Sequence, residues 1–258
     1  MAVRDREAPN RGMRTTRAIW VAAALLASSL ASSAESARQE LERARNLQAD
    51  EERGEQLFAQ CTACHGPEGA GDKNGSVPRI AGQHYSVLLK QLVDFRHQKR
   101  WDFRMEERAN RAHLVDTQEV ADVAVYVSDL NPSSPPGMGE GTELAAGAAL
   151  YETRCKSCHA QDGAGDGAKT VPRLAGQHYA YLMRQMYDAV DGRRPTLQRH
   201  HSERLEPLDF EQVRALSDYL SRLKPSGDAP TPSLRSSSGS RRCRFPASRC
   251  PRTGSWQI

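Results

Sequence analysis

The sequence predicts an all-α protein of two tandem domains, and three observations carry that reading. The stretch "VPRIAGQHY" at 77–85 returns as "VPRLAGQHY" at 171–179, one conservative change apart and 94 residues further on. Upstream, "CTACHGPEGAGD" (61–72) faces "CKSCHAQDGAGD" (155–166) at the same offset, and downstream "SVLLKQLVDF" (86–95) faces "AYLMRQMYDA" (180–189). Each unit also closes on a segment with apolar residues at helical spacing, and no convincing alternation of period two appears along the chain.

Taken in order, the chain begins with an export signal over 1–34. Arg14 and Arg17 precede the apolar run "AIWVAAALLASSLA" (18–31), and "ASSA" (31–34) offers small residues for cleavage before Glu35. An uncleaved membrane anchor is the alternative, but the run is short for a bilayer span. A start at Met13 would give the signal a short basic head. The first domain is expected over 35–130. A helix runs into its first motif through "RGEQLFAQ" (53–60), another follows the nonapeptide, and a third covers "TQEVADVAVYVSDL" (117–130) with Val120, Val123, Val127 and Leu130 on one face. Residues 131–143, "NPSSPPGMGEGTE", read as a linker. The second domain, 144–224, repeats the scheme with "AGAALYETR" (146–154) and with "FEQVRALSDYLSRL" (210–223), whose face is Val213, Leu216, Leu220 and Leu223. Asp116 with Glu119, and Asp209 with Gln212, give both closing helices a capping-box-like start. Residues 225–258 are rich in Pro, Ser and Arg with no apolar period and read as a disordered tail, in which Cys243 and Cys250 are given no function.

Charge and composition narrow the function. The formal +4 is uneven: the first 34 residues carry +3, the last 34 carry +5, and the body from 35 to 224 carries −4. A mildly acidic body argues against a nucleic-acid partner. Units of this size bury a modest core. With only 6% aromatic residues, part of each core is left to be filled by something other than side chains.

Cys61-Thr-Ala-Cys64-His65 and Cys155-Lys-Ser-Cys158-His159 supply that filling. Cys-x-x-Cys-His is the attachment signal for c-type haem: two thiols on one side of a helical turn form thioethers to the vinyl groups, and the adjacent histidine ligates the iron. A structural zinc site would need four closed ligands, yet the two pairs lie 94 residues apart. A thiol–disulfide redox pair belongs beside a βαβ pattern, which the sequence lacks. Two such motifs at equivalent repeat positions, behind an export signal, predict two haem c groups, one covalently bound in each domain.

With these residues in view the chain resembles the two-haem class I cytochromes c, the cytochrome c4-like group. The resemblance rests on CxxCH, then Pro-Arg-x-Ala-Gly-Gln-His, then a helix of the "YLxxQL" kind, and a last helix holding "ADVAVY" (121–126), and it covers roughly 50–224. It implies electron transfer by two haem domains packed face to face. It also implies that Pro78 and Pro172, each thirteen residues after its histidine, accept a hydrogen bond from His65 and His159 through their carbonyls. Arg79, Gln83, Arg173 and Gln177 would then suit the haem propionates. Tyr85 and Tyr179 are expected to pack with a polar handle, and His84 and His178 to start helices or lie at an interface rather than ligate.

The sixth iron ligand is where the sequence departs from that group. A Met normally stands eight residues before the position of Asp116 and Asp209, and here those places hold Arg108 and His201. Met183 and Met186 match Leu89 and Leu92 on the helix after the nonapeptide and read as core. His201 is therefore the expected ligand of haem 2, with His200 as its rival. Met105, three residues before Arg108, is expected for haem 1, with His113 as the alternative.

The expected function is a soluble periplasmic carrier of single electrons, not an enzyme, a monomer of two domains working between a redox-protein donor and acceptor. A membrane-bound oxidase or dehydrogenase is a further partner class. A two-haem peroxidase or thiosulfate-oxidising enzyme, or an electron-transfer subunit of a dehydrogenase or oxidase complex, is the alternative, kept alive by the altered sixth position of the second unit.

Overall fold

A computed structural model describes residues 35–197 and 199–224, with the side chains of Arg199, His200 and Ser202 left out. The proposed signal (1–34) and tail (225–258) lie outside the described residues. Eleven helices are described. In the first domain they are α1 (Ala37–Arg45), α2 (Glu51–Phe58), α3 (Thr62–His65), α4 (Tyr85–Arg96), α5 (Phe103–Ala109) and α6 (Thr117–Asp129). In the second they are α7 (Leu144–Arg154), α8 (Lys156–His159), α9 (Tyr179–Val190), α10 (Arg199–Leu205) and α11 (Phe210–Arg222). One isolated antiparallel bridge, Asp166 with Val171, is the nearest approach to a strand among the described residues.

The two domains share one plan. The helix entering the haem motif crosses the closing helix, α2 on α6 and α7 on α11, and the helix after the nonapeptide packs on that closing helix too. A glycine sits at each crossing. A Cβ on Gly54 would overlap the carbonyl of Asp122, and one on Gly147 would overlap the carbonyl of Ala215. Beside each glycine lies a tilted aromatic pair, Phe58–Tyr126 with centroids 5.5 Å apart and Tyr151–Tyr219 at 5.8 Å. Val120, Val123 and Val127 are buried with Phe58, Leu89 and Val93, while Val213, Leu216 and Leu220 are buried with Tyr151 and Leu182. Leu130 and Leu223 cap their helices and are only partly buried, and Met183 and Met186 pack on the second core.

Both closing helices are capped by an aspartate, with a difference. Asp209 and Gln212 complete a reciprocal box, Gln212 N donating to Asp209 at 2.8 Å and Asp209 N to Gln212 at 3.1 Å. Asp116 accepts from Glu119 N at 2.9 Å, but the Glu119 side chain reaches Val115 N instead, at 2.6 Å.

Helix α1 has no counterpart in the second domain. It starts on a capping box between Ser36 and Gln39 and is pinned by Glu40, which is fully buried. Glu40 accepts from Arg96 at 2.5 Å, His97 Nε2 at 2.6 Å, Thr117 Oγ1 at 3.1 Å and Arg111 at 3.3 Å. Arg96 also donates to the carbonyls of Ala109 at 2.9 Å and Leu114 at 2.5 Å, so one guanidinium ties α1 to the segment between α5 and α6.

Residues 131–143 are held by both domains. Gly139 N and Gly141 N donate to the Asp218 carboxylate at 3.0 and 2.6 Å. Gly137 N donates to His178 Nδ1 at 2.9 Å, its carbonyl accepts from Tyr179 N at 2.8 Å, and a Cβ there would overlap the carbonyl of Lys73.

Two tests follow from this packing. Gly54→Ala forces the helix crossing apart and should cost about 1–3 kcal/mol, read as a fall in the melting temperature of the holoprotein. Burial pushes the Glu40 carboxyl up, but the hydrogen bond from His97 and the charge and hydrogen bond of Arg96 outweigh it, so its pKa lies below the ordinary carboxylate value. The stability this lends is present above the unfolded-state pKa and lost as pH falls through the folded one. Acid titration of wild type should therefore show a loss of stability below about pH 4.5 that is smaller in Glu40→Gln, which should already be destabilised at pH 7 by about 3 kcal/mol.

The candidate haem-binding sites

Each Cys-x-x-Cys-His occupies one tight helical turn, α3 or α8. In the first, Cys64 N and His65 N both donate to the Cys61 carbonyl, at 3.2 and 2.9 Å; in the second, Cys158 N and His159 N do the same to Cys155, at 3.2 and 3.1 Å. The turn leaves Cys64 and Cys158 exposed and Cys61 and Cys155 half-buried. Burial pushes Cys61 and Cys155 up to about 11.

The histidines face inward. His65 and His159 are each 6% exposed. His65 Nδ1 lies 3.1 Å from the Pro78 carbonyl and His159 Nδ1 lies 3.0 Å from the Pro172 carbonyl. A carbonyl only accepts, so Nδ1 carries the proton and Nε2 keeps its lone pair for a metal. Burial, acting against the bond to the proline, lowers both pKa values and keeps the rings neutral. The glycine of each "GAGD" makes room for this contact: Gly71 at φ +71° and Gly165 at φ +77° lie so close to the proline carbonyls that a Cβ on either would overlap one.

The turn after each histidine is solved differently. Gly66 takes φ 71° in the first domain; Ala160 takes φ 65° in the second. An alanine in the left-handed region is strained. Tyr151, standing where the first domain has Phe58, donates its hydroxyl to the carbonyl of Ala160 at 2.6 Å and lies 3.2 Å from that of His159, and so holds the turn.

The nonapeptides meet at the domain boundary and cross it reciprocally. Gln177 Nε2 donates to the Arg79 carbonyl at 2.7 Å while Arg79 N donates to Gln177 Oε1 at 3.0 Å; Gln83 Nε2 donates to the Arg173 carbonyl at 3.0 Å while Arg173 N donates to Gln83 Oε1 at 2.9 Å. His84 and His178 cap α4 and α9 and also reach across, Nε2 to the carbonyls of Ala164 and Ala70, both at 2.7 Å. Both histidines thus serve as helix-start and interface residues. The glutamines, expected at propionates, have both ends of their amides engaged with the opposite domain.

The arginines keep a free donor. Arg79 Nε and Arg173 Nε are buried with no hydrogen-bond partner among the described residues, at equivalent positions of the two repeats. Tyr85 Oη is orphaned in the same way, and burial pushes it up to about 12. A buried donor without a partner is costly, so a matched pair marks where an anionic group belongs. The residues present fit a haem in each domain.

The sixth-position candidates stand on or just after α5 in the first domain and on α10 in the second. Met105 stands half-buried on α5, whose Arg104 and N-capping Asp102 act electrostatically on His65. His113, half-buried, has Nδ1 3.3 Å from Asn110 Oδ1 and Nε2 3.2 Å from Arg108. In the second domain the His201 ring centroid lies 6.1 Å from that of His159, with the planes at 74°. The side chain of His200 is not among the described residues.

Two covalent-attachment turns, two buried neutral imidazoles and a helical shell around each define a tandem haem protein of class I cytochrome architecture. The family model for cytochrome c matches residues 51–131 and again 144–224, and the chain belongs to the cytochrome c family. Within that family it resembles cytochrome c4 of Stutzerimonas stutzeri, 30% identical over 66% of this chain and 88% of the relative. It is also similar to a thiosulfate dehydrogenase electron acceptor of Thiomonas intermedia, 32% identical over 63% of this chain and 77% of that protein. The crystal structure of reduced recombinant cytochrome c4 from Pseudomonas stutzeri superposes with a TM-score of 0.61 at 27% identity, covering 69% of this chain and all of that one.

Two haem c groups per chain should survive acid-acetone extraction, visible as two haem masses on the intact wild-type protein. Cys61→Ala or Cys155→Ala should compromise attachment at one site and spare the other.

Proposed function

We propose that the chain is a periplasmic two-haem cytochrome that carries single electrons between protein partners. The observation that carries this reading is the matched pair of buried histidines bonded to a proline carbonyl behind a CxxCH turn. Each bound haem supplies a one-electron ferric/ferrous couple. The chain does the rest. Cys61, Cys64, Cys155 and Cys158 anchor the group; His65 and His159 ligate it; Pro78 and Pro172 hold each imidazole in one tautomer and raise its basicity; Arg79 and Arg173 neutralise propionates with the buried Nε donors that lack partners. The basic, apolar N-terminus supports export, and no helix among the described residues is long and apolar enough to cross a membrane.

The two centres differ at the sixth position. His159 and His201 are the two imidazoles that would hold haem 2. The 6.1 Å between His159 and His201 supports a bis-histidine haem 2. Met105 on α5 serves haem 1. A thioether favours ferrous iron and raises the potential, whereas a second imidazole favours ferric iron, so haem 1 is the first to be reduced.

Redox titration should show two one-electron steps, with the ferric Met–iron absorption band reporting one haem only. His201→Met should raise the lower step and add a second Met–iron band. Two Met-ligated haems in wild type, or potentials unmoved by the substitution, would overturn the ligand assignment. The likeness to a thiosulfate dehydrogenase electron acceptor favours one second reading, a dedicated acceptor for a dehydrogenase. Thiosulfate or peroxide turnover by the purified chain alone would instead make it an enzyme.

A further inference from the structure

The contacts that dock the two domains also reach their proximal histidines. The peptide unit joining Pro78 to Arg79 carries two hydrogen bonds at once. Its carbonyl accepts from His65 Nδ1 at 3.1 Å, and its amide, Arg79 N, donates to Gln177 Oε1 at 3.0 Å. The unit joining Pro172 to Arg173 repeats this with His159 Nδ1 at 3.0 Å and Gln83 Oε1 at 2.9 Å. A peptide is conjugated across its C–N bond. An acceptor on the N–H therefore shifts electron density on to the carbonyl oxygen and makes it a better acceptor in turn.

We propose that each glutamine is a positioning residue that tunes the haem of the other domain: Gln177, in the second domain, sets the potential of haem 1, and Gln83, in the first, sets that of haem 2. The inference rests on the reading of His65 and His159 as axial ligands. The amides are held in the orientation it needs. Gln177 Oε1 also accepts from its own neighbour, His178 N, at 2.9 Å, and Gln83 Oε1 from His84 N at 3.1 Å. Each oxygen thus meets two N–H groups while each Nε2 donates to the partner arginine's carbonyl, at 2.7 and 3.0 Å. Turning either amide over would set donors against donors.

The sign follows from the chemistry of the ligand. A stronger Nδ1–H···O=C bond makes the imidazole more electron-rich, which stabilises ferric iron and lowers the potential. Removing the glutamine weakens the bond and raises the potential of the opposite haem.

The test uses the full holoprotein and its variants Gln177→Leu, Gln83→Leu and Gln177→Glu, titrated by NMR with haem methyls assigned to a domain through cross-peaks to Cys61 or Cys155. Hyperfine-shifted Nδ1–H resonances of His65 and His159 in the oxidised wild type establish the axial reading independently of the variants; their absence would overturn that reading rather than the cross-tuning. Gln177→Leu should raise the reduction equilibrium constant of haem 1 about threefold, or about 28 mV at 59 mV per decade for one electron, with less than half that effect at haem 2. Gln83→Leu should do the reverse. Gln177→Glu, a stronger acceptor for Arg79 N that gives up the bond to the Arg79 carbonyl, should lower haem 1. A larger shift at the glutamine's own haem, or no shift, overturns the proposal. Should a leucine variant move both haems because the domains part, the glutamate variant decides: a fall mainly at haem 1 upholds it, and a fall mainly at haem 2 overturns it.

Discussion

The hydrogen bond from a buried histidine to a proline carbonyl, 3.1 Å in one domain and 3.0 Å in the other, is the contact on which the rest of the structure depends. It demands a ring that is neutral, protonated on Nδ1 and out of water. The neutral ring comes from burial beneath the turn, and the proton's place from an acceptor that cannot donate. The carbonyl must stand close enough to be reached, which is why "GAGD" places a glycine where any side chain would collide with it. The proline has no N–H of its own, so its part in the turn is to offer that one oxygen at a fixed φ.

Around this contact the domains are alike in plan and unlike in reinforcement. The first is braced by α1, whose Glu40 gathers Arg96, His97 and Arg111. The second has no such helix. There Asp218 on the closing helix accepts from Gly139 N and Gly141 N, and Arg222 on the same helix donates to the Gly139 carbonyl at 2.6 Å, so residues 131–143 bind the second domain to the chain that enters it. A segment with the composition of a loose connection is therefore a packed element.

Much of the fold was legible in the sequence because it rests on local chemistry repeated at one offset. The CxxCH turns, the capping aspartates and the apolar faces of α6 and α11 all depend on residues near one another in the chain. The short helices α5 and α10 were not legible, since their apolar content is too slight to show a period. Nor was α1, although Ser36 and Gln39 spell its capping box; its reason for being helical is the buried Glu40, whose partners lie more than fifty residues away. The role of Gln83 and Gln177 was hidden for the same reason. A glutamine beside a haem motif suggests a propionate, and only the meeting of two repeats shows that each amide is spent on the other domain's backbone. The orphaned Nε atoms of Arg79 and Arg173 had a signal in the sequence, in that both repeats keep the arginine.

The turn that follows each histidine has a consequence for how the two halves can change with time. Where the first domain has Gly66, any phenylalanine-sized packing residue suffices at 58, because the glycine is unstrained. Where the second has Ala160, the hydroxyl of Tyr151 is what makes the left-handed alanine tolerable. Positions 151 and 160 are therefore bound together: removing the hydroxyl while the methyl remains is harmful, whereas removing the methyl first leaves the hydroxyl merely dispensable. The order of substitutions matters, and the two repeats, alike as they are, have become non-interchangeable at this turn.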